Sequence, residues 1–196
     1  MKKILIVVDY QYDFASPEGN LSVSGADTIV DNIQNLINDK SFDNIIYTMD
    51  THNLTDYNNS EEGKLFPIHC EFNTPGWDFY KIKPRNNSIK TLIEEGVMEK
   101  TVDFSINEEY VFIKDKFSIW EGNQDYEEFF LSKFDKNTEI VICGVALDVC
   151  VFEHAKGLIN RGFRNVTIKS EAVKGITEEG SKKCEIVMKN DNIIFS

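Results

Sequence analysis

The stretch Glu139-Ile140-Val141-Ile142-Cys143-Gly144-Val145-Ala146-Leu147-Asp148-Val149-Cys150-Val151 decides the fold. Residues 139–145 form an apolar run of strand length. Val151, Ala155, Leu158 and Ile159 then recur on one helical face, and Gly162 ends that helix. A buried strand that passes straight into an amphipathic helix is part of a βαβ unit.

The same alternation runs outward in both directions. Toward the N-terminus, residues 3–8 and 44–49 read as strands. Between them, Ser24-Gly25-Ala26-Asp27 reads as a helix start, a serine followed three residues on by an acid. Ala26, Ile29, Val30, Ile33 and Ile37 continue it at helical spacing. Residues 88–98 read as a helix, 110–113 as the third strand and 124–133 as a helix. Beyond Gly162, residues 165–169 form a strand, 178–189 a helix and 193–195 a short last strand. Strands alternating with helices predict an α/β fold in three α/β/α layers. The sheet is mainly parallel and doubly wound, with right-handed crossovers. One domain is expected over residues 1–196. It carries a long loop at about 50–86 that holds three of the four prolines, and loops of that length are usually functional.

Composition narrows the partners. Of 196 residues, 41% are hydrophobic, enough for a sizeable core. Lys and Arg number 21 against 33 Asp and Glu, a net charge of −12. Such a surface repels phosphate backbones and anionic lipid, so neither nucleic acid nor membrane is an expected partner. The apolar opening run stops at Asp9, too short for a signal peptide, and no later segment could span a bilayer. The expectation is a cytoplasmic protein. Cys70, Cys143, Cys150 and Cys184 form no C-x-x-C pair, and in that compartment they read as reduced thiols.

In open α/β sheets, ligands bind at the carboxyl ends of the strands. The first strand is followed by Asp9, the second by Asp50 and His52, the third by Lys114, and the fourth by Ala146 and Cys150. Each alone has an ordinary explanation: a post-strand Asp caps a turn, and a lone Lys is solvated. Jointly they bring two acids, an imidazole, an ammonium and a thiol to one edge. Cys150, at a helix start, faces unpaired N–H groups, which predicts a lowered thiol pKa and an oxyanion site. A buried packing cysteine is the competing reading. Asp9 could take the thiol proton while Lys114 keeps that acid ionised, which is acyl-transfer chemistry with Asp as base. Of the three histidines, His154 falls inside the helix after Cys150 and reads as structural. His52 and His69, with Asp50 and Glu61 or Glu62, offer imidazoles and carboxylates suited to Zn²⁺, Mn²⁺ or Fe²⁺. Plain polar loop residues are the competing reading there.

These residues resemble the isochorismatase-like hydrolases, and within them the nicotinamidases. Asp9-x-Gln11-x-Asp13-Phe14 is similar to that family's opening motif. Asp50-x-His52, Leu65-Phe66-Pro67-x-His69-Cys70 and Thr74-Pro75-Gly76 resemble its metal loop. Lys114 with Phe117-Ser118 and Gly122 resembles its lysine motif, and Gly144-Val145-Ala146-x-Asp148-x-Cys150-Val151 its nucleophile motif. The resemblance implies a catalytic triad of Asp9, Lys114 and Cys150. It implies an oxyanion hole from the amides of Ala146 and Cys150, aimed by a cis Val145–Ala146 peptide. Phe14 and Phe66 would line the pocket for a pyridine ring. Asp50, His52, Glu62 and His69 would hold one divalent metal, zinc before manganese or iron, with Glu61 the neighbouring alternative to Glu62. The implied reaction is hydrolysis of nicotinamide to nicotinate and ammonia through a cysteine thioester, in NAD salvage. Relatives often form homo-oligomers. The sequence departs from the pattern at Leu147, where relatives often carry Thr.

The competing functions share parts of this site. A related amidase acting on a carbamoyl or ureido group would keep the triad but not need the metal loop. A vinyl ether hydrolase on the same scaffold would not need Cys150. A non-catalytic binding module would need none of Asp9, Lys114 and Cys150, because a fold does not fix a function. A redox sensor at Cys150 would need a resolving cysteine, and the sequence offers no evident one.

Overall fold

Apolar, β-branched runs at residues 3–8, 44–50, 109–114 and 139–145 are buried on both faces, as strands covered by helices require. In the computed structural model, which describes residues 1–86 and 108–196, they are four neighbouring strands of a six-stranded sheet, with residues 109–114 at one edge. These are β1 (Lys3–Val8), β2 (Asn44–Asp50), β3 (Glu109–Lys114) and β4 (Glu139–Val145), followed by β5 (Val166–Lys174) and β6 (Ile194–Phe195). The order is β3-β2-β1-β4-β5-β6, and every pairing is parallel.

Alternation along β1 shows the layers. Leu5 and Val7 join one core with Ile29, Ile33 and Ile37. Ile4, Ile6 and Val8 join the other with Phe130, Val151, Ala155 and Leu158. Helices therefore cover both faces. After β1 the chain winds outward through β2 to β3, then returns to lay β4 on the other side of β1. The order reverses between β1 and β4, and in such sheets the crevice at that reversal is where ligands sit.

Several boundaries differ from the sequence expectation. Ser24 caps nothing: Gly25, at φ 73°, precedes a 3-10 turn at Ala26–Ile29, and the helix proper is Val30–Asn38. The helix expected at 124–133 begins at Tyr126, because Asn123 Oδ1 accepts from the Asp125 and Tyr126 amides. β5 continues to Lys174, past the expected end at 169, with an irregular register against β4 between Ile142 and Gly144. Short helices at Tyr12–Ala15 and Ile119–Gly122 were not expected. The loop over about 50–86 holds a helical turn, Leu54–Tyr57, and a 3-10 turn, Glu62–Lys64. Bridges His52–Glu71 and Gln11–Phe79 tie it down. The helix expected at 88–98 lies outside the described residues.

Candidate active site

Parallel pairing brings the strand ends together. Asp50 and Lys114 are partners in the β2–β3 register, and Val8 pairs with both Thr48 and Gly144, so Asp9 emerges between β2 and β4. Gly144 has φ 112°, and a Cβ there would lie 2.1 Å from Val8 O, so only glycine lets β4 close against β1. Asp9 itself sits at φ 46°, a left-handed conformation more accessible to Asp than to most residues. The Thr48 hydroxyl donates to Asp9 Oδ1 at 2.6 Å.

Lys114 is the hub. Its Nζ lies 2.7 Å from Asp50 Oδ1, 2.9 Å from Asp9 Oδ2 and 3.6 Å from Cys150 Sγ, and all four side chains are buried. Burial alone would neutralise Lys114, but the two carboxylates outweigh it and hold its pKa well above the ordinary value. Burial alone would raise Asp50, yet Lys114 and the two imidazoles hold it well below the usual carboxylate range. Asp9 is the surplus carboxylate. Burial raises it, Lys114 only partly offsets that, and Asp50 adds repulsion.

The thiol corrects one expectation. Cys150 is the first residue of the helix Cys150–Asn160, as expected, but its pKa stands well above the ordinary thiol value. Burial pushes it up, Lys114 pulls it down, and Asp9 and Asp50 push it up again. A protonated thiol beside a carboxyl group of raised pKa suits proton exchange between the two.

The Val145–Ala146 peptide is cis. The turn that follows is held by Leu147 N donating to Lys174 O at 2.8 Å and Val151 N donating to Ala146 O at 3.1 Å. Among the described residues, neither the Ala146 nor the Cys150 amide donates to a backbone carbonyl in the turns, loops and caps, so both are available to an oxyanion.

Beside this hub the long loop builds a second cluster. Single donor atoms of Asp50, His52, Glu62 and His69 all lie within 4.8 Å of one another, and all four residues are buried. Asp50 Oδ2 is 2.9 Å from His52 Nε2 and 3.1 Å from His69 Nε2, while His69 Nε2 is 3.4 Å from Glu62 Oε1. Four ligands placed tetrahedrally at about 2.1 Å from a zinc ion stand roughly 3.4 Å apart. The donor set therefore fits a divalent transition metal in both spacing and chemistry. His69 Nδ1 lies 2.8 Å from Pro67 O, which as a donor contact there would leave Nε2 as the free lone pair. Against burial, Asp50 and Glu62 push the His69 pKa up to about 10, so without a metal a proton balances the two carboxylates. Glu61 points away: its side chain is 88% exposed and pairs with Lys64, whereas that of Glu62 is 9% exposed.

A narrow cavity joins the two clusters. Cys150, Ala146, Asp50, Glu62 and His69 contribute to its wall, and so do Phe14 and Phe66. The Phe14 ring stands 5.1 Å from that of His69, and Phe66 meets Phe117 edge-on at 6.3 Å. Leu21, Val23, Phe117, Val149 and Ile176 complete the lining and were not singled out as pocket residues in the sequence. Gln11, known from the sequence only as part of the opening motif, gains a role here. Fully buried, it accepts from Asp50 N at 2.7 Å through Oε1 and donates to Asp50 O and Trp77 O through Nε2. His154 lies apart from the cavity lining, its Nε2 2.9 Å from the Tyr126 hydroxyl, and burial lowers its pKa to about 3.

Known hydrolases share this fold and much of this sequence. The family model of the isochorismatase domain matches residues 94–190, the half that carries Lys114 and Cys150. The isochorismatase family protein PncA of Bacillus subtilis is 29% identical over 184 residues, covering 92% of this chain and 90% of its own. The nicotinamidase of Schizosaccharomyces pombe is 27% identical, over 98% of this chain and 96% of its own. The pyrazinamidase of Pyrococcus horikoshii, whose crystal structure is a complex with zinc, superposes with a TM-score of 0.77 at 27% identity. That match covers 100% of this chain and 99% of the other. Over nearly its whole length the chain is thus similar to proteins of the isochorismatase-like hydrolase family.

Proposed function

We propose that the protein is a nicotinamidase, hydrolysing nicotinamide to nicotinate and ammonia in NAD salvage. The observation that carries this reading is the shared cavity. One apolar slot has a thiol and free amides in one part of its wall and a convergent donor set for a metal in another. An aromatic amide with a ring nitrogen needs both.

Asp50, His52, Glu62 and His69 would hold one divalent cation, zinc before manganese or iron, which when bound would supply a Lewis acid beside the ring nitrogen. The rest is the work of this chain's own groups. Phe14 and Phe66 flank the ring. Asp9 takes the proton of Cys150, and Lys114 stabilises the thiolate as it forms. The sulfur attacks the carboxamide carbon, and the amides of Ala146 and Cys150 hold the oxyanion. Asp9 returns the proton to the departing nitrogen, and ammonia leaves. Asp9 then draws a proton from water. The resulting hydroxide cleaves the thioester, releasing nicotinate and restoring the thiol.

Among the described residues no helix is long and apolar enough to cross a membrane. A cytoplasmic placement suits the four unpaired thiols. The test is ammonia release from nicotinamide by purified protein, before chelation, after it, and after metal is restored. Release that is lost with the metal and returns with it supports the reading. No release with metal restored overturns nicotinamide as the substrate.

A further inference from the structure

The turn between β4 and the nucleophile helix carries a carboxylate that the mechanism does not use. Asp148 lies between the two amides assigned to the oxyanion, at 146 and 150. Its Oδ1 accepts from Ile176 N at 2.7 Å, and its Oδ2 from Thr177 N at 3.0 Å and the Thr177 hydroxyl at 3.3 Å. Thr177 in turn caps the helix Glu178–Asn190, its side chain accepting from Gly180 N. Asp148 thus ties the oxyanion turn to the loop that ends β5. That loop delivers Ile176 to the wall of the cavity that also holds Cys150 and Ala146. The seam is tight: a Cβ at Gly175 would lie 2.0 Å from Ser181 Oγ and 2.8 Å from Asp148 Oδ1.

We propose that Asp148 is a positioning residue whose hydrogen bonds to the Ile176 and Thr177 amides hold Ile176 as a fixed limit on the size of the ring the cavity accepts. A branched aliphatic side chain on a mobile loop would yield to a larger ring. Anchored on both sides of its carbonyl, at its own amide and the next, Ile176 cannot retreat. A fixed apolar wall discriminates against an added methyl group by about 10- to 200-fold.

This inference rests on the nicotinamidase reading, and the experiment separates the two. The probes are nicotinamide and its ring-methylated derivatives substituted at carbon 4, 5 or 6. The readout is the ratio of kcat/KM for each derivative to that for nicotinamide. Ile176→Ala is expected to raise the ratio about tenfold or more for at least one derivative. Asp148→Asn, which offers one acceptor oxygen where two are used, is expected to raise it for the same derivative with Ile176 intact. Gly175→Ala keeps the carboxylate but forces the loop off it, and is expected to move the ratio the same way. Its use covers the case in which Asp148→Asn does not fold. A merely structural anchor would lower Tm and kcat together and leave the ratio where it was. Ratios unmoved in folded Asp148→Asn or Gly175→Ala protein, with wild-type protein active on nicotinamide, overturn the latch alone. A wild-type protein inactive on nicotinamide overturns the reading and the latch together.

Discussion

Asp50 serves two centres at once: its Oδ1 lies 2.7 Å from Lys114 Nζ, while its Oδ2 lies 2.9 and 3.1 Å from the imidazoles of His52 and His69. The ammonium is the only cation within ion-pair distance of Asp9 and Asp50 among the described residues apart from those imidazoles. Removing it leaves two buried carboxylates facing each other. Lys114→Met is expected to cost about 3–5 kcal/mol, the usual penalty for breaking a buried pair from one side. For a chain of this size that lowers Tm by roughly 10 °C. Ammonia release should vanish even in the fraction that folds. Thermal unfolding and the ammonia assay check both, and an active Lys114→Met protein would remove Lys114 from the mechanism.

Cys150→Ala removes only the sulfur. The alanine keeps the helix start and the amide at 150, so the cavity and the metal cluster remain. Turnover of nicotinamide is expected to fall by at least about 10⁴-fold, as when a nucleophile is deleted elsewhere. Bound metal, measured by elemental analysis, and nicotinamide binding, measured by calorimetry, should stay near wild type. Full activity in this variant would sink the thioester route.

Glu61 and Glu62 make a matched pair for the metal cluster. Glu62→Gln withdraws a buried anionic donor and is expected to weaken metal binding by about 10- to 100-fold, the scale seen when groups that support a metal site are altered. Glu61→Gln changes an exposed side chain paired only with Lys64 and should leave metal affinity unchanged. Competition with a chelator of known affinity measures both. Equal losses in the two variants would contradict the assignment of Glu62.

The sequence already carried the strand-end groups, because a parallel sheet delivers the residue after each strand to the same edge. Asp9, Asp50, Lys114 and Cys150 could be placed together from that rule alone. Choosing between Glu61 and Glu62 could not, since adjacent residues in an irregular loop have no period to say which faces inward. Ile176 and Asp148 were also out of reach: they meet across 28 residues through a side-chain-to-amide bond, which leaves no local pattern. The thiol's place at a helix start is visible in sequence and predicts a lowered pKa, whereas the burial that raises it is not visible there. The far half of β5 has no apolar signature, because Lys169, Ser170 and Glu171 break the run although the backbone remains extended.

His154 sets a pH dependence of stability. Burial lowers its pKa to about 3 in the folded protein, against about 6.5 in an unfolded chain. Below pH 6.5 the unfolded state binds a proton that the folded state does not, so stability falls as pH drops from 6.5 toward 3. At pH 5 the loss from this group is about 2 kcal/mol relative to pH 7.5. His154→Gln keeps a hydrogen-bonding group near the Tyr126 hydroxyl but does not titrate. It is expected to be less stable at pH 7.5 yet to lose about 2 kcal/mol less than wild type on going to pH 5. Urea unfolding at the two pH values measures the difference. Identical pH slopes would mean that His154 is protonated in the folded state as readily as in the unfolded one.

Gln11 supports Asp50 from the main chain. Its carboxamide accepts from the Asp50 amide and donates to the carbonyls of Asp50 and Trp77, so one side chain ties the end of β2 to the far end of the long loop. Gln11→Leu fills much the same space but strands one buried donor and two buried acceptors. At about 1–3 kcal/mol for each group left unsatisfied, the cost is several kcal/mol if no water enters. Gln11→Glu keeps the acceptor toward Asp50 N but turns the donor toward two carbonyls into an anion, so it should not rescue. The distinguishing result concerns the metal. If Gln11 only stabilises the fold, Tm falls and metal affinity does not. If it sets the direction of the Asp50 carboxylate, as its bonds to both sides of that residue's backbone require, metal affinity at a temperature well below Tm falls as well.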